Sequence, residues 1–166
     1  MLAIIIGGCA EDPSSLDTRH TAASSTGTSG SGTSGSGTSG TSATTNDGSA
    51  ADVCVATINQ YRATKGLQAL ARWSATETCA DSQAASDGST KAAHGAFGKC
   101  GEVAQNECPG WPGPPATMIP KCLDAMWGEG PGGGHYEAMS SRLYTKVSCG
   151  FGTAPDGAIW AVQNFH

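Results

Sequence analysis

Six of the seven cysteines, Cys54, Cys79, Cys100, Cys108, Cys122 and Cys149, fall in the last 115 residues of this 166-residue chain, and they limit what that segment can fold into. An even set in so short a stretch points to three disulfides. Each one restricts the unfolded chain and is worth about 2–4 kcal/mol. Bridges of this kind persist in oxidising compartments. No Cys-x-x-Cys pair occurs, so the spacing does not read as a zinc cluster. The pairing is open, because six cysteines allow many connectivities and the sequence does not choose among them. The bridges also offset a lean core. All four tryptophans and all three tyrosines lie in residues 52–166, and alanine with a few aliphatics must supply the rest.

Upstream the composition changes twice. Residues 1–9 run Met-Leu-Ala-Ile-Ile-Ile-Gly-Gly-Cys. That is far short of the ~20 apolar residues a membrane-spanning helix needs, and it reads as the core of a signal peptide. Ile6-Gly7-Gly8-Cys9 resembles a bacterial lipobox, which implies cleavage before Cys9 and a lipid on its sulfur. Residues 10–51 are poor in large apolar side chains, and 24–42 contain only Ser, Thr and Gly. Such a segment cannot bury enough surface to fold. As a flexible coil it spans about 30–40 Å root-mean-square. The expected organisation is a signal peptide with lipobox (1–9), a disordered linker (10–51) and a folded domain (52–166). The expected place is extracellular or at the cell envelope, as a lipid-anchored bacterial lipoprotein that meets the membrane only through its N-terminal lipid.

Charge removes one class of function. The chain carries a formal −5, and residues 52–166 hold ten acids against eight scattered bases. No basic stripe is present to neutralise phosphates, so nucleic-acid binding is not expected.

Within the domain, Asp52 can cap a first helix running to about Lys65, with Val53, Ala56, Thr57, Ile58 and Tyr61 giving an approximate 3.6-residue stripe and Gly66 as the stop. Ser74-Ala75-Thr76-Glu77 matches a capping box, which predicts a second helix to about Ser86, ended by Gly88. A loop follows over 87–101. Proline is tolerated in a first turn, so a third helix is placed from near Pro120 to Gly128. Thr145–Phe151 alternates, Ala158–Phe165 is a run of strand formers, and the turn residues Ala154-Pro155-Asp156-Gly157 between them predict a β-hairpin. Helices first and strands last give an α+β fold.

The segment from Met126 to Met139 carries the candidate chemistry. A helix end bearing Glu129 enters Gly130-Pro131-Gly132-Gly133-Gly134, which delivers His135 beside Tyr136. Dense glycine permits positive φ and close backbone approach at an ordering cost, so the run needs a geometric reason. Upstream, His94 and Glu102 offer a second imidazole and acid. Glu107 and Glu137 read as solvated acids, His20 lies in the linker, and His166 is the last residue.

These pieces occur in the order of the CAP superfamily, which includes cysteine-rich secretory proteins, antigen 5 and plant pathogenesis-related proteins. Asn59-Gln60-Tyr61-Arg62 resembles its first-helix motif, and Leu70–Trp73 the lead into its second helix. His94 with Gly101-Glu102 resembles its His…Gly-Glu-Asn segment, with Val103 in place of the Asn. Trp127-Gly128-Glu129 resembles its Trp-x-x-Glu helix end, one residue shorter. Gly134-His135-Tyr136-Glu137-Ala138-Met139 resembles its Gly-His-Tyr signature, and Trp160–Phe165 its closing strand. The resemblance implies a three-layer α–β–α sandwich with a small antiparallel sheet, including a further strand near 101–106. It also implies a cleft tetrad of His94, Glu102, Glu129 and His135. Neutral imidazoles and carboxylates suit zinc or copper, so Zn(2+) or another divalent metal is the expected cofactor, with His94 and His135 as ligands. The spacing matches no short metal motif. The expected function is a surface-anchored domain that binds a metal, a small extracellular or lipid ligand, or a cell-surface component. The alternatives are a metal-assisted hydrolase of protease or esterase type and a structural or adhesive protein without a ligand.

Overall fold

The computed structural model describes residues 49–166. The expected signal peptide, Cys9 and residues 10–48 of the linker, with His20, lie outside the described residues.

The first helix, α1 (Ala50–Thr64), starts before Asp52 because Ser49 is its cap. The Ser49 hydroxyl accepts from the Asp52 N–H, and the Asp52 carboxylate accepts from the Ser49 N–H at 3.0 Å. Both orphan donors are thereby satisfied. The buried stripe is Ala51, Cys54, Val55, Ile58 and Arg62; of the expected residues Ile58 lies in it, Val53 and Tyr61 pack half-buried beside it, and Ala56 is exposed. Spacing alone could not separate these faces, since alanine is neutral to both.

The expected capping box at Ser74–Glu77 does not form. Ser74–Thr76 make a 3-10 turn, and Glu77 turns instead to Arg72 at 2.6 Å. The second helix, α2 (Glu77–Thr90), runs past Gly88 and stops at Lys91, which takes a left-handed φ of 56°. Gly88 is a packing residue: a Cβ there would sit 3.0 Å from the Trp160 ring. The third helix, α3, spans Pro115–Gly128, so Pro115 rather than Pro120 fills the first-turn position. Pro120 is carried inside, where it costs about 3 kcal/mol. Burial of Met118, Ile119, Cys122, Leu123 and Met126 outweighs that loss. A short fourth helix, α4 (Gly134–Ser140), forms where the sequence pattern named no element.

Four strands make one sheet in the order β1-β3-β4-β2: β1 (Ala71–Arg72), β2 (Ala104–Trp111), β3 (Lys146–Thr153) and β4 (Ile159–Phe165). The β3–β4 hairpin is antiparallel, with Cys149 opposite Gln163. The edge strand β2 pairs antiparallel with β4 and is longer than the strand expected near 101–106. The two-residue β1 pairs parallel with β3.

Alternate residues of a strand face opposite sides, and each side here has its own core. Val147, Cys149, Ala161 and Phe165 pack under α1, α3 and α4 with Ile58, Leu123 and Met139. Trp160 and Val162 pack against Ala80 and Ala84 of α2 in a smaller core. Gly150 and Gly152 let α2 lie directly on β3, since a Cβ at either would collide with the α2 backbone. The result is the expected α–β–α sandwich. Disulfides pin its layers: Cys54–Cys149 joins α1 to β3, Cys79–Cys100 joins α2 to the loop before β2, and Cys108–Cys122 joins β2 to α3.

Candidate functional site

Glu129 caps the end of α3, and four residues of turn separate it from α4. Gly130 and Gly132 adopt φ of 68° and 94°, values that L side chains rarely take. At Gly133 a Cβ would strike the Glu129 side chain. This is the geometric reason for the glycine run: it folds the chain back so that His135 meets Glu129. The His135 Nδ1 lies 2.5 Å from Glu129 Oε1, and the His135 N–H donates to Oε2 at 3.1 Å. Glu137, exposed as expected, braces the turn by accepting from the Gly132 N–H at 2.9 Å. Behind them Tyr61, Trp127 and Tyr136 form a run of rings with centroids 5.2 Å and 4.5 Å apart. The imidazole is largely buried, with 10% of its side chain exposed, while Glu129 keeps 32%.

His94 sits in the loop after α2 with φ of 60°, an uncommon conformation for a residue with a side chain. Its ring Nδ1 lies 2.9 Å from Gln105 Oε1, and its backbone N–H donates to Glu107 Oε2 at 2.5 Å. Glu107 also approaches the ring at 3.7 Å. Glu107 was expected to be a solvated acid, but its side chain is fully buried. It lies in β2, which extends beyond the strand expected from the resemblance, on the same face as Gln105. Burial pushes its carboxyl up to about 8, against the pull of the His94 N–H and with a smaller push from Asp87. Its Oε1 has no partner among the described residues. Asp87 of α2 is buried too and lacks an aligned donor; desolvation raises it, opposed by Ala96, His94 and Lys99.

Glu102 is occupied elsewhere. Its carboxylate accepts from Gln83 Nε2 at 2.5 Å, the Gly98 N–H at 2.6 Å and the Cys100 N–H at 2.9 Å. It orders the loop ahead of β2 and takes no hydrogen bond from an imidazole. Of the four residues named from sequence, Glu129 and His135 come together, and the carboxylate against His94 is Glu107.

Side chains of β2 reach both histidine-bearing segments. Gln105 and Glu107 hold His94 on the α2 face, where Gln105 Nε2 also donates to Asn164 Oδ1 at 2.9 Å. Asn106 points the other way and donates to the His135 carbonyl at 3.1 Å. An amide oxygen faces His94 Nδ1 and a carboxylate faces His135 Nδ1, so each Nδ1 is the protonated donor in the neutral ring. Each Nε2 then carries its lone pair, and neither has a hydrogen-bond partner among the described residues. Second contacts of this kind fix the tautomer and orientation of a ligand imidazole.

A resident zinc site needs three or four protein ligands. Among the described residues no group of three or more His, Cys, Asp or Glu is placed to hold a metal. The residues present do not fit a resident zinc, and no step through one follows. Sequence reading missed Gln105, Glu107 and Asp87. The available signal was the polar run Gln105-Asn106-Glu107, which pairs in register with Asn164, Gln163 and Val162 of a strand that is otherwise apolar.

Residues 55–165 match the family model described as "CAP: Cysteine-rich secretory protein family". A comparison with curated proteins finds no match.

Proposed function

The chain belongs to the cysteine-rich secretory protein (CAP) family, and from that premise we propose that this disulfide-bonded extracellular domain is a binding module whose two clamped imidazoles engage an exchangeable ligand. The observation that carries the reading is the Nδ1 clamp on both rings, which leaves both Nε2 lone pairs without an internal partner. Orienting an imidazole in advance lowers the entropy lost when it binds. A lone pair of this kind accepts a divalent cation or a hydrogen-bond donor on a small extracellular molecule. A cation held by so few ligands is bound loosely and exchanges. The sequence of Ile6-Gly7-Gly8-Cys9 supports display from a membrane through a lipid on Cys9, with the segment between Cys9 and Ser49 as the spacer.

Zinc is the direct probe. Titration of the full chain should raise the thermal midpoint, since a ligand that binds only the native state stabilises it by mass action. His94→Ala with His135→Ala should abolish that rise while the protein stays folded. An equal response in the double variant removes the reading.

A further inference from the structure

We infer that the domain carries a second site, at the C-terminal end of α1, in which Arg62 and Arg142 bind a phosphate or carboxylate group. A pocket of about 330 Å³ opens there, lined by Arg62, Gln68, Ala69, Arg142, Tyr144 and Thr145. Neither imidazole contributes to it. That volume lies at the small end of the roughly 300–1,000 Å³ usual for small-molecule sites.

The charge balance of the pocket is incomplete. Arg62 is 2% exposed, so its cation is almost wholly removed from water. Its Nε–H donates to the Gln68 carbonyl, and its Nη1 donates to the carbonyls of Met139 and Ser141, each at 2.8 Å. All three acceptors are neutral. A guanidinium has five donors, so the two on Nη2 remain, without a partner among the described residues. Neither Arg62 nor Arg142 belongs to any ion pair among the described residues. The charge that does act on Arg62 has the same sign: after burial itself, Arg142 is what disfavours its protonated form.

Buried charges in proteins are normally paired. Two guanidinium groups on one pocket, one of them buried and with free donors, lack only the anion. Arginine matches the planar, two-oxygen edge of a carboxylate or phosphate better than any other side chain. Tyr144, half-buried and packed on Phe165 with centroids 5.6 Å apart, supplies a rigid wall. Such an anion comes free in solution or as a lipid headgroup. Leu143, next to Arg142 and 86% exposed, separates the two sources, because only a bilayer would contact it.

The test uses inorganic phosphate, and phosphatidylcholine vesicles with and without phosphatidylserine. Phosphate also stabilises proteins in general by exclusion from their surface, so the informative quantity is the difference between variants. Arg142→Glu touches no hydrogen bond and should leave the fold intact. It should weaken phosphate binding, followed by calorimetry, at least about tenfold, the scale expected for loss of a charge-assisted bond. His94→Ala with His135→Ala should leave phosphate binding unchanged, so this inference and the imidazole reading fail separately. Phosphate binding without vesicle binding assigns a soluble anion. Sedimentation with phosphatidylserine vesicles that is lost in both Arg142→Glu and Leu143→Asp assigns a headgroup. If phosphate and vesicles bind Arg142→Glu as well as the parent chain, or bind neither, the inference is overturned.

Discussion

His135 meets its acid six residues away, at Glu129, across a glycine turn that does little else. His94 meets an acid thirteen residues away, at Glu107, which reaches it only because β2 is long and its α2 face is covered. The first pair is half open to solvent on the acid side, whereas the second acid is sealed. Similar contacts therefore carry different energetics. Around Glu129 they set orientation at small cost to the fold, while around Glu107 they are part of the fold.

The comparison can be broken at three points. The largest effect is expected from Glu102→Ala on the His94 side. It removes an acceptor from the buried Gln83 amide and from the part-buried N–H groups of Gly98 and Cys100. A lost acceptor for a buried donor costs about 1–3 kcal/mol, so a loss of about 2 kcal/mol or more is expected by urea denaturation. A loss below about 1 kcal/mol would show that this loop is not integral to the fold.

Next comes pH. Glu107 is raised from 4.5 to about 8 in the folded chain, so between those values the native state keeps a proton that the unfolded chain has released. Stability is therefore full below about 4.5 and declines as pH rises toward 8, by at most about 1.4 kcal/mol per pH unit. Asp87, also pushed up by burial, adds the same sign. Glu107→Gln keeps an oxygen for the His94 N–H and should flatten this decline in thermal midpoint across pH 5 to 8. An unchanged slope would make the two acids equivalent after all.

The smallest effect belongs to Glu129→Gln. With 32% of its side chain exposed, Glu129 should cost about 1 kcal/mol or less when neutralised. Its consequence should appear in ligand binding by His135 rather than in the denaturation midpoint. A loss of stability comparable to that of Glu102→Ala would erase the distinction between the sides.

The legible part of the site has a common character. Glycine density between Glu129 and His135 announced a forced turn, and the structure uses it as one. The alternation in 145–151 and the strand formers of 158–165 announced the hairpin now formed by β3 and β4. The elements misjudged were those where tertiary packing overrode a local rule. Gly88 read as a helix stop and is an interior glycine pressed on Trp160. Pro120 read as a helix start and is carried inside α3. Glu107 read as a solvated acid because carboxylates are seldom buried, and nothing local says that α2 covers its face.

From the chain alone came a disulfide-bonded α+β domain of the cysteine-rich secretory type and the meeting of Glu129 with His135. The α+β elements and the turn rest on periodicity, turn chemistry and spacing, which act over a few residues; the family likeness rests on a resemblance carried by the order of its motifs. Tertiary structure alone decided which cysteines pair, which acid stands against His94, and that Arg62 and Arg142 share a pocket with no ion-pair partner among the described residues. Those outcomes depend on which faces of distant elements stack and exclude water, and the free energy of a buried charge is set by that stacking rather than by its neighbours in sequence.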